Sequence, residues 1–306
     1  MNPGDMGDTD DMADGWSRWW PAPAKLNLFL HVVGRRADGY HLLQTVFRFL
    51  DLGDRLRFSP RDDGSIVLAT PLPGVADERN LVVRAARALQ KLGACLPAKR
   101  NPRQTESDTA NDAWGATIHL EKSLPQGGGL GGGSSDAATT LLALNRLWGC
   151  KLDAAALQRI GLGLGADVPI FIHGHTAFAE GVGERFTDVA PPPAWYLVLV
   201  PPVAVPTATI FAAPELVRNT PPIAAADWFP GFGRNDLEAV ARARFPEIAA
   251  HLDWLRRWGD ARLSGSGACC FVGFDSEAPA RTAHAALPPG MRGFIARGID
   301  RHPLAM

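Results

Sequence analysis

From Pro23 the chain alternates, with Lys25, Asn27, Phe29 and His31 on one face and Leu26, Leu28, Leu30 and Val32 on the other. This period of two predicts a strand with a buried apolar side. Asp38-Gly39 marks a tight turn, and Tyr40 to Asp51 reads as the returning strand of a hairpin. The period then lengthens: Leu81, Ala85, Leu89 and Leu92 recur at helical spacing, behind Asn80 as N-cap and ahead of Gly93 as stop. Ala116 to Glu121 resembles a short strand, followed by Pro125 and a run in which six of the seven residues 127–133 are glycine. Ser134, Ser135 and Asp136 are suited to cap the next helix, whose Ala138, Leu141, Leu142, Asn145 and Trp148 share a face before Gly149. Another helix begins near Asp153 and runs toward Gly163 and Gly165. The prolines at 191–193 read as a linker, beyond which strand and helix signals recur to the C-terminus without an internal repeat. Residues 97–115 are polar and irregular and read as a surface insertion. Residues 1–19, with Asp5, Asp8, Asp10, Asp11 and Asp14 against Arg18, read as a disordered acidic extension.

Composition narrows the function classes. The chain has 306 residues, 46% hydrophobic and 21% charged, values of an ordinary globular protein long enough for two domains or one large one. Its 31 basic and 32 acidic residues leave a net charge of −1, so no global positive field recruits nucleic acid or an anionic membrane. An anionic ligand must be held locally. The longest apolar candidate, Trp195 to Val205, is too short to span a bilayer and contains Pro201 and Pro202. Cys95, Cys150, Cys269 and Cys270 form no C-x-x-C pair, which fits a reducing, cytoplasmic setting, and nothing in the chain implies an obligate protein partner.

The glycine run is the most informative local feature. Backbone without side chains wraps closely around phosphate oxygens and points several N–H groups inward, and a helix N-terminus behind it adds partial positive charge. A flexible linker would not sit between a strand and a capped helix. A Walker A loop needs Gly-Lys-Ser/Thr at its end, and no lysine follows the glycines. Gly127-x-Gly129-x-x-Gly132 formally satisfies the dinucleotide fingerprint, and Asp153 lies about where its ribose-binding acid belongs. Residues 122–126, however, separate the strand from the glycines, whereas the dinucleotide turn follows its strand directly.

The stretch Pro125-Gln-Gly-Gly-Gly-Leu-Gly-Gly-Gly-Ser-Ser135 resembles the phosphate loop of the GHMP kinases, in a variant with extra glycines. Four more motifs support the likeness in the same order: Pro23-Ala-Lys-Leu-Asn-Leu-Phe-Leu30, Asp38-Gly-Tyr-His41, Gly165-Ala-Asp-Val-Pro169 and Leu263-Ser-Gly-Ser-Gly-Ala268. It runs from about Trp20 to the C-terminus. The resemblance implies a two-domain α+β GHMP kinase fold, with an N-terminal ATP-binding domain over 20–190 and a smaller ferredoxin-like domain over 191–306. It also implies a cleft between them, ATP as phosphoryl donor, Mg²⁺, and a small-molecule acceptor, here a cytidine diphosphate-linked methylerythritol phosphorylated on its 2-hydroxyl. Rivals are another small-molecule kinase of the same superfamily, acting on mevalonate, homoserine or a sugar, and a non-catalytic binding module on the same scaffold.

Phosphorylating an alcohol needs a group to accept the hydroxyl proton and a charge to hold the phosphoryl group. By resemblance Asp167 is the catalytic base and Lys25 lies beside it, where an ammonium favours a developing alkoxide. The plainer readings are a helix N-cap for Asp167, two residues before Pro169, and a solvated strand lysine for Lys25. The residues matching Tyr40, His41 and Phe211 meet the cytosine in the resembling enzymes, with Asn27 and Thr207 near the substrate; core packing is the alternative for Tyr40 and Phe211, and a surface position for His41. The loop Pro125, Gln126, Gly127, Gly128, Gly129, Leu130, Gly131, Gly132, Gly133, Ser134 and Ser135 is expected over the ATP phosphates, with Ser134 or Ser135 helping to position Mg²⁺. Asn80 and Lys122 are placed toward the adenosine, against the plainer readings of a cap and an exposed lysine. No carboxylate cage marks a dedicated protein metal site. Ser264-Gly-Ser-Gly267 reads as a second tight loop, which in the family supports the first.

Overall fold

The structure, a computed structural model, describes residues 15–92 and 114–305. Strands β1 (Trp20–Arg35) and β2 (His41–Arg61) form the expected hairpin, with Arg35 facing His41. Its turn is held by Asp38 Oδ1, which accepts the Tyr40 N–H at 3.2 Å, and by Gly39 at φ 91°. The register shifts between Pro23 and Lys25, Asn27 and Leu30, and Val32 and Gly34, so β1 is bulged three times. Both of its faces are covered: Lys25, Asn27 and His31 are as buried as Leu26 and Leu30. The polar face therefore looks into the protein and must be satisfied there.

Long β2 is the spine of a ten-stranded sheet. Opposite β1 it carries β5 (Ala177–Glu180) at Thr45–Phe47, β10 (Gly293–Ile299) at Phe49–Leu50, and β4 (Gly115–Glu121) along Arg55–Arg61. Strand β3 (Ile66–Leu68) runs parallel to β4, and β6 (Arg185–Asp188) pairs with β5. On its other edge β10 pairs with β7 (Trp195–Leu199), β7 with β9 (Cys270–Phe274), and β9 with β8 (Arg262–Leu263), all antiparallel. The second half of the chain thus reads β7, helices, β8, β9, helix, β10 in the spatial order β10-β7-β9-β8, the ferredoxin-like split βαβ arrangement.

Helices α1 (Leu81–Lys91), α2 (Gly132–Leu147), α3 (Ala154–Leu164) and α4 (Val168–His173) pack with the hairpin half. Asn80 caps α1 through Val82 N–H at 2.9 Å, and Asp153 caps α3 through Ala156 N–H at 2.7 Å. Leu92, expected on the buried face of α1, is its exposed C-cap. The expected capping of α2 needs correction: the helix starts at Gly132, with Gly131 as N-cap in the left-handed region, so Ser134, Ser135 and Asp136 lie inside it. Phe49, Phe58, Leu89, Leu141, Leu144, Trp148 and Phe171 form the core here. Trp148 is almost wholly buried, and truncating it to alanine would cost about 3–5 kcal/mol. A second core, with Leu197, Ile210, Val240, Ile248, Leu252 and Val272, lies under α5 (Thr207–Phe211), α6 (Glu238–Arg244), α7 (Pro246–Leu255) and α8 (Glu277–Ala285). A smaller cluster, with Leu26, Leu50, Leu130, Tyr196 and Phe271, joins the two.

The expected acidic extension falls outside the described residues up to position 14. Residues 15–19 depart from the disorder expected of them, because their tryptophans have apolar area to bury. Trp16 packs on the first core, and Arg55 and Arg57 lie over the Trp19 ring, 4.8 and 5.1 Å from its centroid. The expected insertion lies outside the described residues over 97–113; Trp114 is half-buried and Gly115 opens β4. Among the described residues no helix is long and apolar enough to cross a membrane.

Candidate active site

Lys25 is 2% exposed, so it is not a solvated strand lysine. Its Nζ donates to Asn27 Oδ1 at 2.6 Å and stands 3.2 Å from Asp167 Oδ2. Asn27 Nδ2 in turn donates to Thr45 Oγ1 at 3.0 Å, and that hydroxyl donates to the Phe29 carbonyl. A buried ammonium requires such partners, and this chain fixes its position. Asp167 occupies the N-cap position of α4 with Pro169 in the first turn, yet its side chain makes no capping bond. The carboxylate, 37% exposed, faces Lys25 instead. Capping alone does not account for an acid here.

The glycine loop is stapled across this pair. Lys25 N–H donates to Leu130 O at 2.9 Å, Cys269 N–H to Gly128 O at 3.0 Å, and Ser264 Oγ to Gly129 O at 2.9 Å. The turn through Ser264 and Gly267 thus braces the loop from one side and β1 from the other. Gly131, at φ 72°, passes so close to Phe171 and Lys25 that a Cβ would lie 2.9 Å from the ring and 3.0 Å from Lys25 Cγ. Behind it the first N–H groups of α2 have no side-chain cap. Free N–H groups of this kind suit an anion, and they stand at the edge of the Lys25–Asp167 cleft, which Ser134, Gly127 and Gly129 also line. Ser135 Oγ, fully buried in the same turn, has no hydrogen-bond partner among the described residues.

Lys122 is not an exposed lysine. Its Nζ lies between the Asp54 carboxylate and Asp136 Oδ2, at 2.8 Å from the latter, while Asp54 Oδ1 accepts the Ser123 and Leu124 N–H groups at 2.6 and 2.9 Å. This cluster holds the chain where it enters the glycine loop. Burial alone would lower the Lys122 pKa, but Asp136 and Asp54 outweigh it and raise it. Asp136 is pushed up to about 7 by burial, with Lys122 pulling down and Asp54 pushing up. Asn80, buried, spends Oδ1 on its cap, and its Nδ2 has no partner among the described residues.

The cleft around Lys25, about 300 Å³, opens onto a hollow of about 550 Å³; both are walled by Leu43, Ala166, Val182 and Phe211. Tyr40, His41 and Phe211 line the hollow. Tyr40 is 63% exposed rather than in the core, and Phe211 belongs partly to the second core while its ring lies 4.9 Å from that of His41, tilted by 32°. Thr207, in the cleft wall, shares a hydrogen bond of 2.8 Å with Ser266. Sequence reasoning missed Arg218, whose Nε donates to His41 Nε2 at 3.1 Å and whose Nη2 donates to Phe211 O and Ala213 O. A guanidinium is only a donor, so His41 Nε2 carries the lone pair and Nδ1 the hydrogen. Burial first, then Arg218 and Arg35, lowers the His41 pKa and favours this neutral form.

A kinase-like arrangement of ammonium, carboxylate, glycine loop and helix terminus agrees with similarity to known proteins. Residues 80–175 match the GHMP kinases N terminal domain and 222–290 the GHMP kinases C terminal domain. A 4-diphosphocytidyl-2-C-methyl-D-erythritol kinase of Dechloromonas aromatica is 60% identical over 94% of this chain and 98% of its own length. One of Thiobacillus denitrificans is 56% identical over the same shares. A crystal structure of 4-(cytidine 5'-diphospho)-2C-methyl-D-erythritol kinase superposes with a TM-score of 0.72 at 35% identity, covering 92% of this chain and 99% of that one. A crystal structure of mevalonate kinase, at 14% identity and TM-score 0.62 over 93% of this chain and all of its own, shares the fold. The chain belongs to the GHMP kinases, and within them to the family of the 4-diphosphocytidyl-2-C-methyl-D-erythritol kinases.

Proposed function

We propose that the protein transfers the γ-phosphoryl group of ATP to the 2-hydroxyl of 4-diphosphocytidyl-2-C-methyl-D-erythritol, giving the 2-phosphate and ADP, in the non-mevalonate route to isoprenoid precursors. The observation that carries the reading is the Lys25–Asp167 pair, 3.2 Å apart in a cleft edged by the glycine loop and continuous with the His41–Phe211 hollow. Asp167 accepts the hydroxyl proton as the oxygen attacks the γ-phosphorus. Lys25, held by Asn27, offers positive charge to the transferring group without needing to reorganise. The uncapped N–H groups of α2 and the loop backbone from Pro125 to Ser135 bind the phosphate chain. The spare Asn80 Nδ2 is a donor suited to the nucleotide end, and Lys122 acts by shaping the loop's entrance.

Cytosine lies against the Tyr40, His41 and Phe211 rings. The neutral His41, with its Nδ1 hydrogen, is matched to the acceptor atoms of that base, and Asn27 and Thr207 line the path between base and hydroxyl. Mg²⁺, when bound, neutralises the ATP phosphates; the oxygen donors Ser134 in the cleft wall and unpartnered Ser135 Oγ suit a hard cation held mainly by those phosphates. The reaction belongs in the cytoplasm, where ATP is available.

The test is ADP release by the purified chain with ATP, Mg²⁺ and each of four acceptors: the cytidine diphosphate-linked methylerythritol, mevalonate, homoserine and galactose. Turnover is expected with the first; preference for another acceptor overturns the substrate. In the same assay Asp167→Asn is expected to lower kcat by ~10²–10⁴, about 3–5 kcal/mol, with KM for ATP little changed. Near-normal turnover would leave Asp167 no part in proton removal.

A further inference from the structure

At the opposite end of α4 from Asp167 stands a group of side chains that phosphoryl transfer does not use. His173 ends α4, His175 lies just beyond the Gly174 turn, and Asp188 ends β6. His173 Nε2 is 2.6 Å from Asp188 Oδ1, and His175 Nδ1 is 4.0 Å from Asp188 Oδ2. One donor atom from each residue lies within 4.8 Å of the other two.

The backbone dictates this convergence. Asp188 pairs with Ala177 in the β5–β6 ladder, and His175, two positions before Ala177, is its diagonal neighbour on the same face. Phe186, two positions before Asp188, shares that face, and the His173 ring stacks on it with centroids 4.7 Å apart. Gly174, at φ 80°, joins the histidines; its N–H donates to Ile170 O at 3.0 Å and its carbonyl accepts the His302 N–H at 2.8 Å. A Cβ on Gly174 would lie 2.8 Å from that of Ala305, so the turn is pinned from outside as well.

We propose that His173, His175 and Asp188 form a binding site for a borderline divalent transition-metal cation, of which Zn²⁺ is the reference. Two imidazoles and one carboxylate are a donor set suited to such an ion, whereas Mg²⁺ demands oxygen ligands. With bonds of about 2.0–2.2 Å, tetrahedral coordination places ligand atoms roughly 3.3–3.6 Å apart. His173 Nε2 and Asp188 Oδ1, 2.6 Å apart, must part by under about 1 Å, and no pair of the three donor atoms, all within 4.8 Å of one another, must close by more than about 1.5 Å; the Asp188 side chain, 63% exposed, can turn to make much of this shift. Entry of the cation replaces the His173 Nε2–Asp188 Oδ1 hydrogen bond: the neutral imidazole ligates through its Nε2 lone pair and carries its one proton on Nδ1. The three protein ligands leave a fourth position for water. The ion ties the carbonyl end of α4, where a helix favours positive charge, to β6. The six-residue helix puts it about 9 Å along the axis from Asp167, so it is separate from the phosphoryl-transfer centre.

The experiment is calorimetric titration of the tag-free, full-length protein with ZnCl₂ in the presence of excess Mg²⁺. It is run on wild type, on Asp188→Asn and on the double variant His173→Asn/His175→Gln, with metal-free melting curves checking that each variant is folded. Wild type is expected to take up one equivalent that Mg²⁺ does not displace. Loss of ligands should weaken it by ~100-fold or more, since even outer-shell changes cost 10–100-fold. A Co²⁺ titration of wild type, read by its visible absorption, reports nitrogen ligation without any variant. No saturable equivalent, no such absorption, or an equivalent retained by both variants overturns the proposal.

Discussion

Arg218 acts on two parts of the base hollow at once, because one guanidinium binds the His41 imidazole and the Phe211 and Ala213 carbonyls. Lysine cannot reproduce a planar fork, so Arg218→Lys and Arg218→Met should both loosen His41 and release its tautomer. The expected result is KM for the cytidine-linked acceptor raised ~10-fold, about 1.4 kcal/mol, with KM for ATP unchanged in steady-state kinetics. An unchanged acceptor KM would remove Arg218 from substrate positioning. The placing of Tyr40 and His41 beside the turn is legible locally, whereas the nearness of Lys25 to Asp167, 142 positions apart, is foreseen only through the family resemblance that their two motifs carry. Arg218 is foreseen in neither way: it lies 177 positions from His41 and carries no local signal. The plainer reading of Lys122, an exposed lysine, fails for the same reason, since the acids that enclose it come from β2 and from inside α2.

Among the elements, the glycine loop is the one whose geometry is least forgiving. A Cβ at Gly129 would lie 2.1 Å from Ser264 O, whereas one at Gly127 would meet nothing within 4 Å; both residues have positive φ. Gly127→Ala therefore carries only left-handed strain, about 1–2 kcal/mol, while Gly129→Ala must also push the Ser264 turn away and break the loop's brace. Melting curves and ATP kinetics should separate them, with Gly129→Ala showing the larger fall in Tm and a rise of ~10-fold or more in KM for ATP. Equal behaviour would mean that the brace does not hold the loop. The hairpin, α1 and α3 are readable from sequence because turn residues, caps and periodicity are local. The start of α2 is misread because Gly131, not a serine, turns the chain into the helix. The placing of β10 between β2 and β7 has no local signature, since Gly298 pairs with Leu50, 248 positions away, and Gly293 with Leu199, 94 away.

That pairing makes the molecule one sheet with a shared small core, so stability is a property of the whole, and its pH dependence is set by the few buried ionisable groups. Asp136 is held at about 7, primarily by burial, against about 3.9 for an unfolded aspartate. Between those values the folded protein keeps a proton that the unfolded chain has lost. Its stabilising contribution is thus complete below about pH 4 and disappears as pH rises through about 7, by at most about 1.4 kcal/mol per pH unit. His302 works in the other direction: burial lowers it to about 4, so its contribution is lost as pH falls from about 6.5 toward 4. The two slopes oppose each other in wild type over much of that range and would mask one another in a single melting series. Asp136→Asn separates them, because asparagine is neutral throughout and still accepts a hydrogen bond from Lys122, while His302 is common to both proteins. The Tm of the variant relative to wild type is expected to climb between about pH 5 and pH 8, with most of the climb complete once the native carboxyl has ionised near pH 7. A difference that stays flat across this range would show that the Asp54–Lys122–Asp136 cluster holds Asp136 as a carboxylate at all these pH values, and that the ammonium outweighs burial.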